Sequence, residues 1–159
     1  MADQKLKCAW FTFSCCEDNT IVMTELLNDH WLEWSKILEF KNFRALKTKN
    51  TMEPFDIAFI EGSIASQKQI DKLKQIRDLS KKLVAVGACA VVGMPSGQRN
   101  FFNVEQKQSI QPFLDQFAAL PKVLKVSDIV KVDAEVPGCP MDPEDFVNKA
   151  TALITELRK

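Results

Sequence analysis

Short apolar runs with strand character alternate along this chain with longer stretches that are apolar on one side only. Strand then helix, repeated in this way, is the sequence form of an α/β domain with a mostly parallel sheet. The first strand run is CAWFTF at 8–13. It is followed by TIVMTELLNDHWLEWSKIL (20–38), where Val22, Leu26, Leu27, Trp31, Trp34 and Leu38 recur at helical spacing and Asp18 or Asn19 is placed to cap the start. A weaker strand is expected over 43–48, and FDIAFIEGS (55–63) has the uninterrupted apolar core of a buried parallel strand. Ser66 is placed to cap QKQIDKLKQIRDLSKK (67–82), whose Ile70, Leu73, Ile76 and Leu79 form one apolar stripe. LVAVGACAVVG (83–93) reads as the fourth strand and DIVKVDAEVPGCP (128–140) as the fifth with its loop. Helices are expected near 105–118, stopped around Pro121, and over DPEDFVNKATALITELR (142–158), with Pro143 and acidic residues in its first turn.

About five strand and helix alternations predict a flavodoxin-like three-layer sandwich with a mostly parallel sheet. The 159 residues are enough for one domain, 1–159, that buries a core without disulfide staples. In such folds ligands collect at the carboxyl ends of the strands. Cys15 and Cys16 follow the first strand, Cys89 lies near the end of the fourth and Cys139 follows the fifth, so three sequence regions bring four thiols to one sheet edge. Cys8 begins the first strand at the opposite end and reads as a buried free thiol. All five glycines also fall at or near these strand ends, where backbone turns sharply or approaches a bulky group.

Charge narrows the partners. Lys plus Arg and Asp plus Glu balance at 21 each, so nothing in the net charge recruits nucleic acid or an anionic membrane. The start, MADQKLKCAWFTF, has no long apolar leader or twin-arginine pattern, and no stretch approaches the roughly 20 apolar residues of a membrane span. A cytoplasmic chain is expected. Five cysteines are an odd number, and in a reducing compartment they read as ligands or free thiols before a disulfide framework.

Four thiolates suit zinc or an iron-sulfur cluster. Structural zinc sites usually draw on close Cys-x-x-Cys pairs, and the chain has none. Scattered ligands on a rigid edge suit a 4Fe-4S cube, which several loops can hold, and Pro140 after Cys139 fits a cluster loop. Ordinary buried thiols remain the plain alternative on spacing alone.

DIAFIEGSI, LVAVGACAVVG, QRN and VPGCP, in this order and preceded by a cysteine pair after the first strand, carry a resemblance. They resemble the family that joins nickel-iron hydrogenase small subunits with the 20 kDa subunit of respiratory NADH-quinone oxidoreductase. The resemblance implies a proximal 4Fe-4S cluster held by Cys15, Cys16, Cys89 and Cys139, with the nickel-iron centre in a partner large subunit. Hydrogenase small subunits generally carry Cys-x-x-Cys at the first pair; the adjacent Cys15 and Cys16 follow the respiratory pattern. Aligning Cys15 with the first hydrogenase ligand instead makes Asp18 an alternative second ligand. ACAVVGMPSGQRN and EVPGCPMDPEDF look like soluble cytoplasmic hydrogenases, and the chain has no Tyr where the respiratory subunit has a glycine- and tyrosine-rich stretch. The implied function is an electron relay between the large-subunit active site and further iron-sulfur or flavin subunits. The alternatives are a complex I-like or nickel-free relative, or a non-catalytic scaffold with an altered cluster site.

Other residues read more plainly. Glu17 and Asp18 beside the cysteines suit a helix cap and acidic first turn better than proton transfer. Glu61 ends a buried strand, where a carboxylate needs a partner; a basic residue of a large subunit or a backbone turn would supply one. His30, the one histidine, reads as a surface or subunit contact, and Trp10, Trp31 and Trp34 as packing. Arg99 and Asn100 are expected at a partner, and Phe101 and Phe102 in the core or at an interface. Thr12, Ser14 and Thr20 offer hydroxyls, but the first loop lacks a Gly-rich phosphate cradle and carries acids, which disfavours a bound flavin phosphate.

Overall fold

The computed structural model describes residues 4–159. Five parallel strands form the central sheet in the order β2-β1-β3-β5-β7. These are β1 (Leu6–Thr12), β2 (Leu38–Phe43), β3 (Phe55–Glu61), β5 (Ser80–Val86) and β7 (Ala134–Val136). Strand β1 is interior, with a parallel neighbour on each side: Cys8 lies opposite Phe40 of β2 and Ile57 of β3. Being buried on both faces, β1 and β3 read as continuous apolar runs, as expected.

Alternate residues of these strands serve two cores. On one face Cys8, Trp10, Phe59 and Val84 pack against Met23, Trp34, Phe146 and Ile154 of α1 (Asp18–Ile37) and α5 (Pro143–Leu157). On the other, Phe11, Ile60 and Leu83 meet Leu73 and Ile76 of α2 (Gln67–Leu79) and Ala90 and Val91 of α3 (Gly87–Val92). The result is the expected three-layer sandwich. Burial of each large aliphatic or aromatic side chain contributes about 1.5–3 kcal/mol, so two cores of this kind hold the sheet edge without cross-links.

Several element boundaries differ from the sequence reading, each for a physical reason. The weak second strand is Leu38–Phe43 rather than 43–48, because α1 runs directly into it; the Leu38 N–H still donates to Trp34 O. Asn50 then closes a turn, its Oδ1 accepting from Phe43 N at 2.6 Å and its Nδ2 donating to Lys47 O at 2.8 Å. The 83–93 run is two elements. Gly87 takes φ +80, which turns the chain out of β5 and into α3, and both pieces are buried, so hydrophobicity alone did not separate them. Only Ala134–Val136 of the 128–140 segment is strand, preceded by a 3-10 turn at Val126–Asp128.

Two further elements lie outside the main sheet. β4 (Ile64–Ser66) and β6 (Ala119–Leu124) make a small antiparallel ribbon that the sequence did not suggest, and Pro121 sits within β6 instead of stopping a helix. The helix before it, α4 (Val104–Gln116), begins with a capping box between Asn103 and Gln106 and contains Pro112. Ser66 caps α2 and Asp142 caps α5 as their side chains accept from Gln69 N and Asp145 N. The expected side-chain cap of α1 is absent: Glu17 is the cap position, with φ 68, and Asp18 is the first helical residue. Trp31 is 52 % exposed, not core, whereas Trp10 and Trp34 are buried.

Candidate functional site

At the carboxyl edge of the sheet the backbone of β1 and β3 pairs past the end of each strand. Phe13 N donates to Glu61 O at 2.8 Å, and Ser14 and Ser63 exchange both backbone hydrogen bonds at 3.0 Å. Gly62 allows this approach: its φ is +90, and a Cβ there would stand 2.9 Å from Phe13 C and Ser14 N. Ser63 Oγ also lies 2.6 Å from Ser96 Oγ, which ties the pair to the loop after α3. Gln69 Nε2 donates to Ser14 Oγ at 3.0 Å. Cys15 and Cys16 therefore leave the sheet from a fixed point.

Cys15, Cys16 and Cys89 line one open hollow of about 600 Å³ with Ser14, Pro95 and Ser96. Cys89 is buried in α3, Cys15 is half-buried and Cys16 is exposed. Cys139 lies on the neighbouring loop, exposed at its tip. That loop is held against α3 by Ala88 N donating to Gly138 O at 2.7 Å, one residue from each of Cys89 and Cys139. Among the described residues no three His, Cys, Asp or Glu side chains converge on a single metal-ion position. Three thiols, Cys15, Cys16 and Cys89, border the hollow instead, and thiolate sulfur is a soft ligand that suits iron or zinc. Asp18 is not in the wall of the hollow, whereas Cys16 is.

Burial and nearby charge raise Cys15 and Cys16. Burial pushes Cys15 up to about 12, with the Glu61 carboxylate and the neighbouring Cys16 and Cys89 adding to it against a backbone hydrogen bond from Glu17. At Cys16 a backbone hydrogen bond from Asp18 favours the thiolate, but burial and the Asp18 carboxylate outweigh it and the thiol is also raised. Without a counter-cation Cys15 stays protonated at neutral pH, and a bound metal is what deprotonates a coordinating thiol. Cys8 is fully buried, raised strongly by burial, and faces the α1 and α5 core far from the other four, in keeping with a free packing thiol.

Beneath the hollow lies a carboxylate that the sequence marked without its partners. Glu61 is fully buried. Its Oε1 accepts from Asn19 N and Asn19 Nδ2, both at 3.0 Å, and its Oε2 accepts from Thr20 Oγ1 at 2.5 Å. Trp10 Nε1 donates to Thr20 Oγ1 at 2.9 Å, and Asn19 Oδ1 accepts from Met141 N at 2.7 Å. The partner is thus internal; no basic residue or partner subunit is needed to satisfy it. One carboxylate joins β1, β3, the start of α1 and the Cys139 loop, so it spans the segments that carry Cys15, Cys16 and Cys139. Gly87 completes the fit, since a Cβ there would collide with the Asn19 side-chain amide.

The remaining expected residues fall elsewhere. His30 is half-buried and stacks on Trp34 at 5.0 Å. Arg99 donates to Leu120 O and Asn100 bridges Val123 N and O, so both hold β6 in place. Phe101 is 78 % exposed and Phe102 half-buried, which removes Phe101 from the core.

The architecture is a parallel α/β sandwich with Cys15, Cys16 and Cys89 around one hollow at the carboxyl edge and Cys139 on the neighbouring loop. The chain belongs to the family described as NADH ubiquinone oxidoreductase, 20 Kd subunit, which matches residues 15–153. Its relatives include sulfhydrogenase 2 subunit delta of Pyrococcus furiosus, 29% identical over 122 residues that make up 75% of this chain and 50% of the relative. The NAD-reducing hydrogenase HoxS subunit delta of Cupriavidus necator is 30% identical over 110 residues, 59% of this chain and 53% of that subunit. The chain thus spans about half the length of these curated relatives. Among solved structures, a chain of an NAD+-reducing nickel-iron hydrogenase in the H2-reduced state superposes with a TM-score of 0.82 at 25% identity, covering 96% of this chain and 93% of that one. The NiFeSe hydrogenase of Desulfovibrio vulgaris Hildenborough shares the fold, with a TM-score of 0.66 at 15% identity, 93% of this chain and 59% of that one. The family resemblance and the flavodoxin-like fold read from the sequence are both borne out. Among the described residues no helix is long and apolar enough to cross a membrane.

Proposed function

We propose that the chain is the small electron-transfer subunit of a nickel-iron hydrogenase, in which Cys15, Cys16, Cys89 and Cys139 hold one 4Fe-4S cluster. The observation that carries this reading is the hollow lined by Cys15, Cys16 and Cys89, with the Cys139 loop hydrogen-bonded to the helix of Cys89. When bound, a cluster of this type supplies one-electron acceptance and release. The chain's own residues supply thiolates, fix the loops that present them, and shield one side of the site with the apolar core. Ser63, Ser96 and the Glu61 network orient the ligand loops, which is the outer-shell role that tunes and retains a metal group. Cys16 is favoured over Asp18 as the second ligand because it shares the hollow with Cys15 and Cys89.

The partner in this reading is a large subunit that carries the nickel-iron centre, with further iron-sulfur or flavin subunits downstream, all in the cytoplasm, where thiols stay reduced. The names of the relatives, as subunits of hydrogenases, support it. A second reading, a complex I-like or nickel-free relative, is favoured by the adjacent Cys15 and Cys16. Anaerobic co-purification separates the two. A large subunit that retains nickel supports the hydrogenase; a large subunit free of nickel supports the relative.

A further inference from the structure

The segment 92–101 walls two hollows. Pro95, Ser96 and Gln98 share the hollow of the thiols, whereas Val92, Met94 and Phe101 line a separate one of about 450 Å³ with Lys122 and Lys125. Val92 ends α3 and is the i+3 neighbour of Cys89 on that helix. It is 60 % exposed, and Phe101, at the end of a 3-10 turn over Gln98–Phe101, is 78 % exposed. Scattered apolar side chains on a surface are ordinary. This Phe is different because the turn that carries it is pinned. Asn100 Nδ2 donates to Val123 O at 2.9 Å, Asn100 Oδ1 accepts from Val123 N at 2.8 Å, and Arg99 donates to Leu120 O at 2.8 Å. Gly97 closes the preceding loop onto the end of α3, since a Cβ there would collide with Gly93 O. A large apolar side chain is thus held out in solvent in one place, which lowers the ordering cost of a surface that docks on it.

Charge narrows what that surface is. Lys122 and Lys125 make no ion pair among the described residues. The one carboxylate in the wall, Asp128, already accepts from Lys125 N at 3.2 Å. An apolar patch rimmed by polar groups marks a protein contact. A second copy docked here about a two-fold axis would set Lys122 and Lys125 against the same residues of its mate, and like charges across an interface cost affinity. The complementary surface has a large apolar side chain flanked by carboxylates.

We infer that Val92 and Phe101 seat the large subunit, which presents to them a large apolar side chain and sets carboxylates against Lys122 and Lys125. Position selects this partner. The seat shares the segment 92–101 with the thiol hollow, so a body that covers Phe101 lies beside the open hollow and the exposed Cys16. A subunit that exchanges electrons with the thiol site has to approach it there. The inference rests on the electron-relay function proposed above and adds the contact that positions the partner.

Anaerobic co-expression of the tagged chain with the large subunit tests this, read as large subunit recovered per chain. The unfolding midpoint of each chain purified without the large subunit checks that the variants fold. Phe101→Asp and Val92→Glu are each expected to cut recovery at least about tenfold with the parent's midpoint. Lys122→Glu combined with Lys125→Glu is expected to cut it about threefold at low salt and less at high salt, where the attraction is screened. Leu32→Asp, on α1 at the same 78 % exposure as Phe101, is expected to retain the large subunit. Full recovery with Phe101→Asp and Val92→Glu overturns the seat and leaves the relay function standing. An equal loss with Leu32→Asp overturns the seat as well, as does a loss that both seat variants show only with lowered midpoints. A parent chain that recovers no large subunit overturns the seat and the relay function together.

Discussion

Glu61 is a fully buried carboxylate with four hydrogen bonds and no cation, and its partners come from α1 and from β1. Hydrogen bonds to a charged group contribute about 1.5–3 kcal/mol each, so Glu61→Gln, which presents an amide to Thr20 or to Asn19, is expected to cost about 2–4 kcal/mol in thermal or urea unfolding. A variant as stable as the parent would show that the network holds nothing. Gly87→Ala must both adopt φ +80 and displace the Asn19 side-chain amide, and it is expected to cost about 1–3 kcal/mol in the same assay. For the ligands, Cys16→Ala is expected to lose bound iron while Asp18→Ala retains it; the reverse result, read by iron content after anaerobic purification, would install the oxygen ligand. At this scale the sequence marked Glu61 and the four thiols but did not pair Glu61 with Asn19 or Thr20. Those two contact Glu61 across 42 and 41 residues of chain, and no local pattern records such a contact.

Elements are joined by Asp133, which precedes β7. Its Oδ2 accepts from Arg77 of α2 at 2.6 Å and from Leu83 N of β5 at 2.8 Å, while its own N–H donates to Leu83 O. Burial alone would raise this carboxyl; the Arg77 hydrogen bond and the Leu83 N–H outweigh that and hold it below the usual carboxylate range. A carboxylate depressed on folding contributes stability that is complete above its unfolded value near about 4 and is lost as pH falls through the folded value. Asp133→Asn is therefore expected to be less stable by about 1–3 kcal/mol at neutral pH, with the gap closing below about pH 4 in pH-dependent unfolding. A gap that is constant with pH would contradict the ion pair as its source. Helices α1, α2 and α5 were legible because each keeps an apolar stripe, and α2 and α5 add a start signal in Ser66 and Pro143. The β5 to α3 passage was not, since an all-buried strand and an all-buried short helix are equally apolar and only the positive φ of Gly87 divides them. The β4 and β6 ribbon was missed for another reason: strands of three and six residues, with Pro121 in one, give no period to read.

The whole molecule is a two-core sandwich that gathers distant segments at one edge, so the candidate site is drawn from that edge rather than from any contiguous motif. Segment order alone placed Cys15, Cys16, Cys89 and Cys139 at that edge once parallel topology was assumed, because every parallel strand must end there. What order did not supply is the depth of each thiol, from buried Cys89 to exposed Cys139. Exposed thiols at the rim suit a site completed against a partner. Nickel in a co-purifying large subunit is the expected outcome at this scale.

The central claim is that four thiols of this chain hold one cluster. Its most direct measurement is iron and acid-labile sulfide per chain after anaerobic purification, with EPR before and after dithionite reduction, repeated on Cys139→Ser. About four irons and four sulfides and a reduced-state signal, both lost or reduced in the variant, are predicted. A chain that binds no iron and gives no signal, or a Cys139→Ser protein with the parent's iron and spectrum, would contradict it.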